Sequence, residues 1–275
     1  MQFDNTRIFN FEGAFHGMRA PLESWAKSDS AFGCCYEDTG NDFKVLNNWR
    51  DYDNYNDMST EERMRYDEEK LVWLDNNGCT YYDTNSHVME YAFLGPADLG
   101  LAQRLISGGS EHRKFLRQIQ VSVYITGPLF WWKEFDPYKV GTTANSTSTM
   151  HKIQSKPITK DCFGTINLPA DQHFELDKRD GLYTAEELRD FMEPTIKMCE
   201  DLRQAYNATK DRRYWRMLIE LLPESWLQSR EVTLNYEVIR SIVHQRKGHK
   251  LIEWQKFIDW AHTLPYAGEL IFYDN

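Results

Sequence analysis

The segment Gln118-Ile-Gln-Val-Ser-Val-Tyr-Ile125 alternates polar and apolar side chains. That period of two belongs to a β-strand with one face buried, and Gly127-Pro128 ends it. The C-terminal third has a different period. Thr184-Ala-Glu-Glu187 is a capping box that opens a helix reaching about Ala208. Asp211 caps a second helix ending at Leu222-Pro223. Val232 to Arg246 and Leu251 to His262 read as two more helices, separated by Gly248. On the first of these two, Leu234, Val238, Ile242 and Gln245 share a face, most of which is core. Upstream, Pro96 to Ile106 reads as a helix ended by Gly108-Gly109. With no internal repeat and no low-complexity tract, residues 1–275 read as a single α+β domain.

Composition limits what such a domain can do. At 275 residues and 41% hydrophobic content the chain can bury a substantial core. Nine Trp, fifteen Tyr and fifteen Phe place many aromatics in that core or in a pocket. A net charge of −10 argues against a general nucleic-acid binder, although a local cationic pocket can still take a small anion. No run approaches the ~20 apolar residues of a membrane span. The first residues, Met1-Gln-Phe-Asp-Asn, lack the basic start and apolar run of a signal peptide, so a cytoplasmic location is expected. Cys34, Cys35, Cys79, Cys162 and Cys199 show no Cys-x-x-Cys spacing. They read as reduced thiols, with neither a zinc site nor a nucleophile among them. Residues 51–70 are strongly polar and read as a solvated insertion, with Ser59 or Thr60 capping a short helix.

Two segments carry candidate chemistry. Between Thr142 and Thr149 nearly every residue is Ser, Thr or Asn, flanked by Lys133, Lys139, His151 and Lys152. Small hydroxyls and amides beside cations suit a phosphate or nucleotide, because they donate short hydrogen bonds without bulk. Such stretches also form solvated turns. The second segment crowds Arg240, His244, Arg246, Lys247, His249 and Lys250 around two helix ends. The helix dipole accounts for some of those cations. Arg246 also presents a planar fork that matches a phosphate or a pyrimidine edge. Both readings stand for both segments.

Taken in order, these motifs resemble the flavin-dependent thymidylate synthases. Asn145-Ser-Thr-Ser-Thr-Met-His151 can be laid on that family's loop Asn-Glu-x-Ser-x-Arg-Tyr, with Asn145 and Ser148 matching. Leu222-Pro223, Thr233-Leu-Asn235, Arg246, His249 and Glu253 follow the family's order of C-terminal motifs. From Asn235 to Arg246 is eleven positions (246 − 235), the family's spacing. The resemblance covers residues 95–265, and residues 1–94 stand apart as an N-terminal extension. It implies a central, mostly antiparallel sheet flanked by helices, and a homotetramer with shared flavin sites. The implied reaction transfers a one-carbon unit from methylenetetrahydrofolate to C5 of dUMP, with FAD as cofactor and NADPH as reductant. The resemblance assigns Ser146, Ser148, Arg246 and Lys133 to dUMP, with Arg246 also catalytic. It assigns Lys139, Asn145, Asn235, Glu237 and His249 to FAD, and it implies no metal.

Three family cations are missing. The family's Arg-His-Arg falls near Tyr138-Lys-Val140, an expected Arg is Glu237, and another is Met150. Each lost charged hydrogen bond would cost about 1.5–3 kcal/mol if nothing replaced it. Arg113, Lys114, Arg117, Lys133 and Lys152 are the candidate replacements. Two other functions stay open on the same fold. One is a changed pyrimidine-nucleotide enzyme such as a hydroxymethylase, and the other is a nucleotide-binding protein without catalysis.

Overall fold

A computed structural model describes residues 1–37, 43–47, 79–81, 88–164 and 185–274. The polar insertion at 51–70 and the cap at Thr184 lie outside the described residues. The strands are β1 (Gln2–Phe9), β2 (Ala31–Glu37), β3 (Phe43–Asn47), β4 (Cys79–Tyr81), β5 (Val88–Phe93), β6 (Gln120–Pro128), β7 (Thr143–Ser146) and β8 (Leu227–Asn235). The helices are α1 (Phe11–Arg19), α2 (Pro96–Ser107), α3 (Leu129–Phe135), α4 (Thr149–Lys152), α5 (Ala185–Thr209), α6 (Arg212–Leu221), α7 (Tyr236–Arg246) and α8 (Ile252–His262). A π-helical turn over Ala267–Ile271 follows α8.

Two four-stranded sheets form, ordered β1-β6-β8-β7 and β3-β2-β5-β4. In the second sheet every pairing is antiparallel, for example Cys35 with Val45 and Met89. The fold class is α+β, with mostly antiparallel sheet and flanking helices. Strand β6 shows why the period of two was informative: Val121, Val123 and Ile125 are fully buried while the residues between them are half-buried. Residues 2–9, set apart in the sequence with the N-terminal extension, supply β1 to that strand's own sheet.

The chain clusters into two compact units. The first comprises Met1–Gln2, Tyr124–Pro137 and Ala144–Glu231; the second comprises Phe3–Val123, Tyr138–Thr143 and Val232–Asn275. In the first, Ile153, Ile158, Phe163, Ile196, Cys199 and Leu218 form a core against which Trp215 and Trp226 pack. Trp131 and Trp132 of α3 are buried edge to face, with ring centroids 4.8 Å apart. Helix α6 begins where expected, because the Asp211 carboxylate accepts the Arg213 N–H at 2.9 Å.

In the second unit, α1 packs Phe11 and Phe15 into an aromatic core with Tyr236, Tyr266 and Phe115. Helix α2 is anchored at its start by Asp29, whose carboxylate accepts the Ala97 and Asp98 N–H groups. The helix expected from Val232 is corrected here, since Val232–Asn235 completes β8 and α7 starts only at Tyr236. Glu231 and Thr233 are exposed while Val232 and Leu234 are buried, which is strand alternation. The buried face of α7 is therefore Tyr236, Ile239, Arg240, Ile242 and Val243, not the stripe that ends at Gln245.

Candidate functional site

Asn235 sits at the junction of β8 and α7. Its side-chain oxygen accepts the Val238 N–H at 3.0 Å, which caps the helix. The chain segment Tyr138–Thr143 runs against this cap. Gly141 there has φ +77°, and a Cβ at that position would lie 2.8 Å from Asn235 Nδ2. Only glycine suits both the left-handed backbone and the close approach. The segment then presents Tyr138 to the far end of α7.

Arg246, the last residue of α7, is held by two aromatic rings. Its Nε donates to the Tyr138 hydroxyl at 2.9 Å, and that hydroxyl donates to Gln245 Oε1 at 3.3 Å. The guanidinium carbon lies 4.6 Å from the Trp254 ring centre and 5.5 Å from that of Tyr138. Tyr138 and Trp254 meet edge to face at 6.1 Å, and His249 meets Trp254 in the same way at 6.3 Å. A cation over an indole face gains about 0.5–2 kcal/mol, more as it is desolvated. Arg246 is half-buried, so its fork is fixed in one direction rather than sweeping through solvent.

Glu237, where the resembling family carries an arginine, receives Arg113 Nε at 3.0 and 2.9 Å on its two carboxylate oxygens. Both side chains are half-buried. One of the candidate replacement cations is thus committed to a protein carboxylate. His249 is exposed, and its Nδ1 accepts the Leu251 N–H at 3.1 Å. Lys139 is exposed. The neighbouring Thr142 hydroxyl is buried without a hydrogen-bond partner among the described residues.

The remaining expected residues belong to the first unit. Asn145 and Ser146 lie on β7, all of whose residues are exposed, so the polar segment is partly an edge strand rather than a loop. Hydroxyl-bearing residues there reach β8: Thr147 donates its N–H to the Ser229 carbonyl at 2.8 Å and its hydroxyl to the same oxygen at 3.1 Å. Ser148 caps the single turn of α4 by accepting the His151 N–H at 3.2 Å. Lys133 is paired with Glu224 at 2.6 Å, both exposed.

Of the residues named in the sequence, the second unit holds Arg246, His249, Asn235, Glu237 and Lys139. It brings Arg246 and His249 to one indole ring, and it commits Asn235 and Glu237 to partners of their own. Sequence reasoning missed Tyr138 and Trp254. In the sequence Tyr138 marks only a departure from Arg-His-Arg. Trp254 follows Glu253 directly, and Glu253, a motif residue, is buried on the same helix.

The Glu200 carboxyl is pulled down to about 2, first by its hydrogen bond from Arg203. Burial lifts the Cys199 thiol to about 11. Cys199 is thus a core residue, and an undissociated thiol is a poor nucleophile.

No protein-family model matches the sequence, and no curated protein matches it. Solved structures do resemble it. A thymidylate synthase X from Helicobacter pylori, determined with FAD and dUMP, superposes over 98% of this chain and 97% of that one, with a TM-score of 0.54 at 12% identity. A UMP/dUMP methylase from Streptomyces cacaoi, bound with 5-Br dUMP, covers 65% of this chain and 81% of its own at a TM-score of 0.42 and 13% identity. The first likeness runs nearly the length of both chains. The chain has the fold of the flavin-dependent thymidylate synthases.

Proposed function

We propose that the chain transfers a one-carbon unit from methylenetetrahydrofolate to C5 of dUMP in an FAD-dependent reaction, with NADPH as reductant. The observation that carries this reading is Arg246, a cation held in a fixed direction by Tyr138 and Trp254. A fixed planar fork can bind a pyrimidine edge or a phosphate in two parallel hydrogen bonds. The full-length fold likeness to a protein crystallised with FAD and dUMP supports the same ligands.

The residues fit a flavin in part. Thr142 has an unsatisfied buried hydroxyl, and a ligand oxygen beside it would remove a cost of about 1–3 kcal/mol. Lys139, three residues earlier, is an exposed cation suited to a phosphate. A bound flavin would supply the reducing equivalents. The chain's own part is to hold the nucleotide through Arg246, position His249 at the Trp254 edge and keep the Tyr138–Thr143 segment against α7. A cytoplasmic homotetramer completes the proposal, and light scattering checks the assembly.

A second reading, nucleotide binding without flavin chemistry, is favoured by one observation. Two of the residues assigned to the flavin, Asn235 and Glu237, are spent on the α7 cap and on Arg113. The visible spectrum of the protein reconstituted with FAD separates the two. The first reading expects a flavin band that survives gel filtration; a colourless protein that still binds dUMP supports the second.

A further inference from the structure

A pocket of about 390 Å³ opens between α7, α8 and the C-terminal segment. Its apolar part is Val243, Ile258 and Phe272, with His244, Lys247 and Asp274 among its polar walls. Phe272 lies flat on His262, with ring centres 3.6 Å apart and planes 6° apart. That volume is within the range of small-molecule sites.

The polar wall is a cation cluster gathered on one carboxylate. His244 Nδ1 lies 2.7 Å from the Arg240 carbonyl oxygen, and its Nε2 lies 2.7 Å from Asp274 Oδ1. A carbonyl oxygen only accepts. Asp274 is held below the usual carboxylate range, first by its hydrogen bond with His244, so it too is an acceptor. Both ring nitrogens must therefore carry hydrogen, and the ring is an imidazolium while both bonds stand. Arg240 is largely buried, gives one N–H to the Ile271 carbonyl at 2.8 Å and points another nitrogen at Asp274 at 3.5 Å. Lys247 adds its charge from the end of α7. Three cations thus face a single carboxylate that arrives on the last turn of chain, beside an apolar slot partly filled by Phe272.

We propose that this pocket is a binding site for a small organic carboxylate with a planar apolar body, and that Asp274 holds its anion position in cis. The ligand's carboxylate takes the place of Asp274 on His244, Arg240 and Lys247. Its ring takes the apolar slot along Val243, Ile258 and Phe272. The site is separate from the Arg246 cluster in the residues it uses and does not depend on the proposed reaction. Besides Lys247 and Asp274, the polar side chains that line the pocket with His244 are Gln255 and His262 of α8. Arg240 reaches Asp274 from behind His244, with Glu237 also acting on it. Asp274 is the one acid among the described lining residues.

The test uses the full chain, with benzoate as the probe and benzamide as its neutral counterpart, titrated by calorimetry at about pH 6. Asp274→Asn removes the internal competitor and should bind benzoate about tenfold tighter than the parent, while benzamide gains nothing. Adding His244→Gln to that variant should lose about tenfold in benzoate affinity. Unchanged affinity in Asp274→Asn, benzamide binding equal to benzoate, or no loss on adding His244→Gln would each overturn the proposal. Thermal unfolding of each variant confirms that the fold is intact when affinity is read.

Discussion

Replacing Asp98 by alanine removes the most deeply buried charge among the described residues of the second unit. Asp98 is 0% exposed and Arg19 5%. Arg19 Nε donates to Oδ1 at 2.5 Å, and the Ser28 hydroxyl donates to Oδ2 at 2.6 Å. Without the carboxylate, the guanidinium keeps only the Ser24 carbonyl, at 3.3 Å, among its described hydrogen bonds. An uncompensated buried charge of this kind costs about 3–5 kcal/mol. Asp98→Asn preserves the volume and one acceptor oxygen, so its cost should be nearer 2 kcal/mol, roughly one charged hydrogen bond. Removing both charges with Arg19→Met and Asp98→Leu should recover most of the loss, because the desolvation penalty disappears with the pair. Urea denaturation followed by tryptophan fluorescence reads all three. A cost below about 1 kcal/mol for Asp98→Ala, the size of an ordinary substitution, would refute the reasoning.

Four further outcomes follow from the packing and the titrations. Glu200→Gln should flatten the acid limb of the stability curve. Glu200 titrates near 2 when folded, against an ordinary 4.5, so the stability it contributes is present above about 4.5 and lost as pH falls towards 2; acid unfolding monitored by circular dichroism checks this. Asn235→Ala should destabilise the fold by about 1 kcal/mol through loss of the α7 cap, as measured in urea. Gly141→Ala should be destabilising as well, by at least about 1 kcal/mol for the left-handed backbone alone, with Asn235 displaced in a crystal structure. Cys199 should resist alkylation in the folded protein at about pH 8 and react at once in denaturant, since burial suppresses its thiolate.

Much of the fold was legible because its elements carry one period each. The alternation of Gln118–Ile125 became β6, Pro96 and Asp211 marked the starts of α2 and α6, and the apolar spacing after Leu251 became α8. Where two periods adjoin, the longer one masks the shorter. Val232–Asn235 was absorbed into a helix although its alternation belongs to β8, because the helical stripe beyond it is longer. The Ser/Thr-rich segment gave no strand signal, since all four residues of β7 are exposed and edge strands need no buried side chains. The candidate site was legible only where one local stretch held it. Arg246 is one of six cations crowding two helix ends, which the helix dipole explains in part. Tyr138 and Trp254 are 116 positions apart (254 − 138) and become neighbours only in the fold. The same holds for Arg113 and Glu237, whose pairing turned an apparent loss of charge at Glu237 into a half-buried ion pair.

The central claim is that Arg246, clamped by Tyr138 and Trp254, is the anchor for a pyrimidine deoxynucleotide. Calorimetric titration of dUMP into the parent and into Arg246→Ala tests it most directly. The account predicts saturable binding by the parent and a loss of about 2–5 kcal/mol in the variant, the cost of deleting a charged donor from a desolvated site. Equal affinity of the two proteins for dUMP would contradict it.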